Sequence, residues 1–246
     1  MKATFGDAFL KEQRLLVVAP HPDDEVLGCA GTMARVKALG GEVFVLMLTA
    51  GGIEQYGRGL DGGTALVPGS TRVQEFEAVM KYLDVDGSDV LFTDDETHQR
   101  LDTRPQREII EWLERGSLLS LEALRPSMVL IPALSFNQDH RAAHRACVAA
   151  TRPAAPGTRH FAPTVLTYDN STGFWSPPDE AFTPDVYVDI SDFLEIKMTA
   201  LDLYRSQMRP PPFHASPEGI RTEAIYRGGQ VALHAAEAFR TMRLVL

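Results

Sequence analysis

The stretch "LLVVAPHPDDEVLGCAG", Leu15 to Gly31, decides how the rest of the chain is read. An apolar run stops at Pro20, and a His, a Pro and three carboxylates follow before apolar residues resume. A short continuous apolar run is the mark of a strand buried on both faces, as in parallel sheets. After it, Val26, Ala30, Met33, Val36 and Leu39 recur at helical spacing, and Gly40-Gly41 ends the segment as a C-cap does. In open α/β sheets, ligands bind beyond the carboxyl ends of the strands. The charge at 21–25 is therefore expected to line a pocket. Such a tight carboxylate cluster repels itself unless a cation neutralises it, and a divalent metal would do so. The plainer alternative is a helix N-terminus whose carboxylates serve as caps.

Working outward, "VFVLMLT" (43–49), "DVLFT" (89–93) and "MVLIPA" (128–133) repeat the buried-strand pattern. Helical segments are expected between and after them: 70–85 with Ser70 or Thr71 as N-cap, 105–124, and 141–152. This alternation predicts an α/β fold, a Rossmann-like, mostly parallel sheet flanked by helices. Past 152 the rhythm changes. "TVLTYDN" (164–170) and "DVYVDIS" (185–191) are expected as edge or antiparallel strands, separated by a Pro-rich loop carrying Trp175. Helices are expected over 192–207 and from about 222 into the 230s or 240s. The Gly-dense 51–69 and Pro-dense 210–217 segments read as loops overhanging a site. The expectation is one domain over 1–246: an α/β core at 14–152 and a C-terminal β/α extension at 153–246 that walls the cleft.

The 246 residues are 44% hydrophobic and 23% charged, enough for a sizeable core. Net charge is −9 and no Lys/Arg cluster offers a phosphate-tracking stripe, which argues against nucleic acid as a partner. Cys29 and Cys147 fall within apolar helical patterns and read as small core residues. The N-terminus lacks the apolar segment of a secretory signal, and no apolar run is long enough to span a bilayer. A cytoplasmic protein with no membrane partner is expected, and a homo-oligomer is compatible with the sequence.

The metal reading needs ligands from two places. His21 and Asp24 lie three apart, on neighbouring faces of one helical turn. The best second source is "SFNQDHRAAHRA" (135–146), which also follows a buried strand. There His140 is the candidate ligand, and Asp139 could orient a ring from behind. Two His and one carboxylate with an open position suit catalytic zinc and also Fe(II). Asp23 is left over beside the ligands, where a general base belongs. His144, one helical turn beyond His140, is the rival ligand; otherwise it packs or supports the site. His98, His160, His214 and His234 read as surface or structural, with His214 placed where a substrate contact is conceivable.

"APHPDDEVLGCAGTMA", "NQDH" (137–140), "LTAGG", "TRVQE" and "KMTALDLYRSQ" together resemble the LmbE/PIG-L family of zinc-dependent N-acetylglucosamine deacetylases. The resemblance implies that His21, Asp24 and His140 bind zinc and that Asp23 is the general base. It implies that Arg72 contacts the sugar, against the alternative of a surface salt bridge to Glu75 or Glu77. Asp94 or Asp95 would similarly hold sugar hydroxyls. One position departs from the pattern. Where many members have a His that polarises the amide carbonyl or protonates the leaving group, this chain has Asn137. An Asn amide can donate a hydrogen bond to an oxyanion but cannot deliver a proton, which leaves that task to Asp23 or His144. The implied function is hydrolysis of an N-acetyl group on an amino sugar or its glycoside, releasing acetate and a free amine. The alternatives are a metal-dependent amidase for a larger N-acyl or thiol-conjugate substrate and a non-catalytic, metal-retaining binding protein. A nucleotide-binding Rossmann domain is disfavoured, because no G-x-G-x-x-G is present and the carboxylates would repel a pyrophosphate.

Overall fold

The computed structural model describes residues 5–56, 64–155, 157–170 and 181–245. Trp175 and the centre of the 51–69 segment lie outside them. Nine strands are described: β1 (Arg14–Ala19), β2 (Glu42–Thr49), β3 (Ile53–Tyr56), β4 (Thr64–Val67), β5 (Gly87–Phe92), β6 (Met128–Pro132), β7 (Thr164–Tyr168), β8 (Val186–Asp189) and β9 (Ala236–Leu244). The helices are α1 (Phe5–Lys11), α2 (Asp24–Leu39), α3 (Gly69–Tyr82), α4 (Gln106–Glu111), α5 (Leu121–Leu124), α6 (Gln138–Ala150), α7 (Leu194–Leu203) and α8 (Pro217–Gly229). Seven strands form one sheet in the order β5-β2-β1-β6-β7-β9-β8. The first five run parallel, while β9 lies antiparallel to both β7 and β8.

Alternation along β1 divides the core. Leu15, Val17 and Ala19 pack with residues of α2, α3, α7 and α8, whereas Leu16 and Val18 pack with residues of α4 and α6. On the first face α2 sits very close to the sheet. A Cβ on Gly28 would lie 2.2 Å from the Tyr168 ring, so this position admits no side chain. At the far end of α2, Gly40 takes φ 95° and donates to the Lys37 and Val36 carbonyls, the C-cap expected there.

The structure corrects several expectations. β7 is not an edge strand: it lies inside the sheet, parallel to β6 on one side and antiparallel to β9 on the other, while β8 is the antiparallel edge. The segment at 236–244 is not helical but a strand, whose Ala-rich start is drawn into extended pairing between two neighbours. The expected helix at 105–124 is broken: Ser117 N donates to the Trp112 carbonyl in a widened turn, and Ser120 recaps a separate short helix. The α3 helix starts at Gly69 after Pro68, ahead of Ser70 and Thr71. Within the Gly-dense segment, β3 and β4 pair antiparallel. Among the described residues, no helix is long and apolar enough to cross a membrane.

Strand order brings the site together. Because β1, β6 and β7 are adjacent and parallel, the residues after their carboxyl ends meet above the same sheet edge.

Candidate metal centre

His21 and Asp24 follow β1, His140 lies in the first turn of α6 after β6, and Asn170 follows β7. One ligand atom each from His21, Asp24 and His140 falls within 4.8 Å of the others, and all three residues are buried. His21 Nδ1 lies 3.5 Å and His140 Nε2 3.1 Å from Asp24 Oδ2. The other nitrogen of His21, Nε2, is 2.9 Å from Asp139 Oδ2, while Asp139 Oδ1 accepts from Leu101 N. That carboxylate fixes the His21 tautomer so that Nδ1 faces the cluster. Asp139 therefore orients His21, not its sequence neighbour His140. The bracing of Asp24 and His140 falls to Asn170, whose Nδ2 donates to Asp24 Oδ1 at 2.7 Å and sits 3.3 Å from His140 Nδ1.

The cluster favours positive charge. Burial by itself would lower the His21 imidazole, but hydrogen bonds to Asp139 and Asp24 overcome it and raise the group to about 9. Burial by itself would raise Asp24, yet the charge and hydrogen bonds of His140 and His21 hold its carboxyl below the usual range. Two imidazoles and one carboxylate, each steadied from behind, fit a divalent ion of the zinc or ferrous type.

Asp23 stands beside these ligands and outside their group. It is partly exposed and its backbone has φ 105°, uncommon for a residue with a Cβ. The turn is held from both sides: the Asp23 carbonyl accepts from Val26 N and Leu27 N, and its N–H donates to Glu25 Oε2 at 3.3 Å. Glu25 is fully buried and accepts a hydrogen bond from the Tyr204 hydroxyl, so the end of α7 supports the strained residue. Burial, then the neighbouring Asp24 charge, push the Asp23 carboxyl well above the usual carboxylate range, with Arg72 pulling the other way. A cation among the three ligands would also pull it down and favour the basic form.

Asn137 is the N-cap of α6: its Oδ1 accepts from Asp139 N at 2.9 Å and from His140 N at 3.3 Å. The oxygen is thus committed to holding the ligand-bearing turn, and Nδ2 is the side chain's donor. His144 lies outside the ligand group, its Nδ1 donating to the Pro132 carbonyl at 2.9 Å.

Arg72 makes no surface bridge to Glu75 or Glu77. It is buried; its Nη1 donates to the Gly51 carbonyl and to His98 Nε2, and its Nε has no partner among the described residues. Glu75 instead accepts from Ser206. His98, expected as surface or structural, is buried with its ring edge-on to His21 at 5.1 Å between centroids. Burial and the adjacent Arg72 cation lower it to about 3, so it is a neutral acceptor for Arg72 and a donor to Thr49 Oγ1. Asp95 is exposed and its carboxylate holds Gly52 N at 2.6 Å, beside the Gly51 that receives Arg72. Asn170 and His98 carry no motif of their own, and Glu25 and Tyr204 lie in quoted motifs without a role being read from them. Of the first two, Asn170 had a signal, its place directly after a strand end.

A family model described as PIG-L, GlcNAc-PI de-N-acetylase, matches residues 16–151. The chain belongs to the PIG-L family. Among PIG-L relatives, the diacetylchitobiose deacetylase of Thermococcus kodakarensis is 25% identical over 244 residues, covering 96% of this chain and 85% of that protein. A conserved protein of Thermus thermophilus superposes with a TM-score of 0.70 at 31% identity, over 95% of this chain and 96% of the other. The N,N'-diacetylchitobiose deacetylase of Pyrococcus horikoshii, in complex with an inhibitor, gives a TM-score of 0.70 at 23% identity, over 98% and 94% of the two chains. That likeness establishes the shared PIG-L fold.

Proposed function

We propose that the protein hydrolyses the N-acetyl group of an amino sugar or its glycoside, releasing acetate and a free amine, with zinc or another divalent ion held by His21, Asp24 and His140. The observation that carries this reading is the meeting of those three side chains at the ends of β1 and β6, with the carboxyl of Asp23 beside them and outside their group. When bound, the ion polarises the amide carbonyl and acidifies water. Asp23 accepts the proton that the attacking water loses. Asn137 donates from Nδ2 to the oxygen that gains charge, with Oδ1 fixed by the helix it caps. The amine leaves with a proton, and Asp23, protonated in the first step, returns it, since Asn137 has none to give. Arg72 and Asp95 are assigned to the sugar, the buried Nε of Arg72 being a donor ready for a sugar oxygen. We read the chain as one domain, because β7, β9 and β8 extend the same sheet that carries the ligands.

Acetate release from a panel of N-acetylglucosaminides with varied aglycones, with and without added zinc, tests the reading. Metal-stimulated release supports it, and no release from any of them rejects it. The ligand assignment is tested separately by metal analysis. Wild type is expected to hold about one divalent ion per chain. His140→Ala should lose it and His144→Ala should retain it; the reverse result makes His144 the ligand.

Asn137→Ala should lower kcat more than it raises KM, by about 2.7–4 kcal/mol in transition-state stabilisation. It also loses the cap, worth about 1 kcal/mol of stability. Asn137→Ser keeps a capping oxygen without the amide, so a stable Asn137→Ser enzyme with unchanged kcat would remove Asn137 from the chemistry.

A further inference from the structure

We propose that His98 is a positioning residue, which fixes the direction of the Arg72 guanidinium and through it the grip on the sugar. The inference rests on the deacetylase reading and adds to it a residue that no sequence motif marks. His98 lies in the turn after β5, where Thr97 N donates to Asp94 Oδ1 at 2.7 Å and His98 N donates to the Asp94 carbonyl at 3.3 Å. It is buried, and a Cβ on Gly51 would collide with that of His98, so the residue stands directly against the backbone that follows β2. Arg72 comes to the same place from the first turn of α3. Burial disfavours its charge, and Asp23, then Asp24, act most strongly to favour it, so the guanidinium lies within the field of the ligand cluster.

The hydrogen bonds allow one arrangement of protons. A guanidinium has only donors, so His98 Nε2, which receives Arg72 Nη1, carries no proton. The ring proton is then on Nδ1 and goes to Thr49 Oγ1 at 3.0 Å. The Thr49 hydroxyl gives its own proton to the Pro20 carbonyl at 3.1 Å, which also accepts from Thr49 N at 3.0 Å. A carbonyl only accepts, so the chain runs in one direction, from Arg72 through His98 and Thr49 to Pro20. Pro20 follows β1, Thr49 closes β2 and His98 follows β5, three strands that are adjacent and parallel. The relay is thus anchored in the sheet itself.

The same Nη1 also donates to the Gly51 carbonyl at 3.0 Å. The two hydrogens of Nη1 lie in the guanidinium plane, so two acceptors in different directions fix that plane. One acceptor is main chain and survives any side-chain change; the other is His98. Removing the imidazole nitrogen leaves Arg72 buried and charged but free to turn about its remaining bond. A contact that depends on a held direction is then weakened without any ligand of the cluster being altered.

Nitrogen-15 spectra of the protein with zinc added test the relay without substrate. His98 should show the Nδ1–H tautomer, and the Arg72 Nη1 protons should be resolved from those of Nη2, merging with them in His98→Phe. An Nε2–H tautomer, an imidazolium, or Arg72 signals indifferent to His98→Phe overturns the proposal. Steady-state kinetics on the N-acetylglucosaminide that wild type turns over best then read its consequence. His98→Phe should raise KM about tenfold and leave kcat within about twofold, because a weakened binding contact acts on ground and transition state alike. His98→Gln, whose amide oxygen reaches toward the place of Nε2, should recover most of the loss. Adding His98→Phe to Arg72→Met should add little to what Arg72→Met alone costs, since His98 acts through Arg72. Additive losses, a fall in kcat at unchanged KM, or no recovery in a folded His98→Gln enzyme would each overturn the proposal. Intact spectra that respond to His98→Phe, in a protein that releases no acetate from any probe, would support the hold on Arg72 and reject the deacetylase reading alone.

Discussion

Asp23→Asn is expected to retain the bound metal and to lose about 10²–10⁴-fold in turnover, the usual worth of a positioned general base. The substitution changes one oxygen for an amide and leaves the rest of the turn in place. Asn is among the residues most tolerant of positive φ, so the backbone at 105° accepts it. The hydrogen bonds made by the Asp23 backbone to Glu25, Val26 and Leu27 do not involve the altered group. The three ligands likewise lie elsewhere. What disappears is the atom that takes the proton. Metal content and steady-state kinetics on the same preparation check the result. Parallel loss of metal and activity would make Asp23 a ligand, and the base would have to be sought elsewhere.

The second large effect is on stability. Lys197 on α7 and Glu237 on β9 are both buried, with Nζ 2.6 Å from Oε1. Glu237 also accepts from Gly31 N at 2.9 Å and Thr32 N at 2.7 Å, and Lys197 donates to the Leu27 carbonyl at 2.7 Å. The pair is thus inserted into the middle of α2, the helix whose first residue is Asp24. Glu237→Ala leaves an ammonium buried without its partner and two backbone donors without their acceptor. It should cost about 3–5 kcal/mol in urea unfolding. Lys197→Met combined with Glu237→Gln removes both charges and should recover much of that loss, because the desolvation of the ions disappears with them. A double variant as unstable as Glu237→Ala would show that packing, and not the unpaired charge, sets the cost.

Both effects illustrate what the amino-acid order made readable. His21, Asp23 and Asp24 sit within five residues of a strand end, so local pattern and the strand-end rule were enough to single them out. His140 was legible for the same reason, 116 residues after Asp24 in the numbering but one strand away in the sheet. The family resemblance rested on these same short segments, and the family match over 16–151 agrees with it. Glu237 offered no such signal, and Lys197 opens the quoted KMTALDLYRSQ segment without a role being read from it, since a lone Lys or Glu in an amphipathic stretch reads as solvated surface.

The parallel β–α alternation of residues 14–152, the charged turn after its first strand and the second His/Asp turn after its fourth were determined by sequence, because each depends on contacts within a few residues. Tertiary structure alone decided that 236–244 is a strand, since its extended form exists only between β7 and β8. It also decided that Asp139 steadies His21 and Asn170 steadies Asp24, and that Arg72 is buried against His98 instead of facing solvent. These partners are brought together by strand order. A side chain's hydrogen bonds across 26 to 146 residues of chain leave no periodic trace in the residues between.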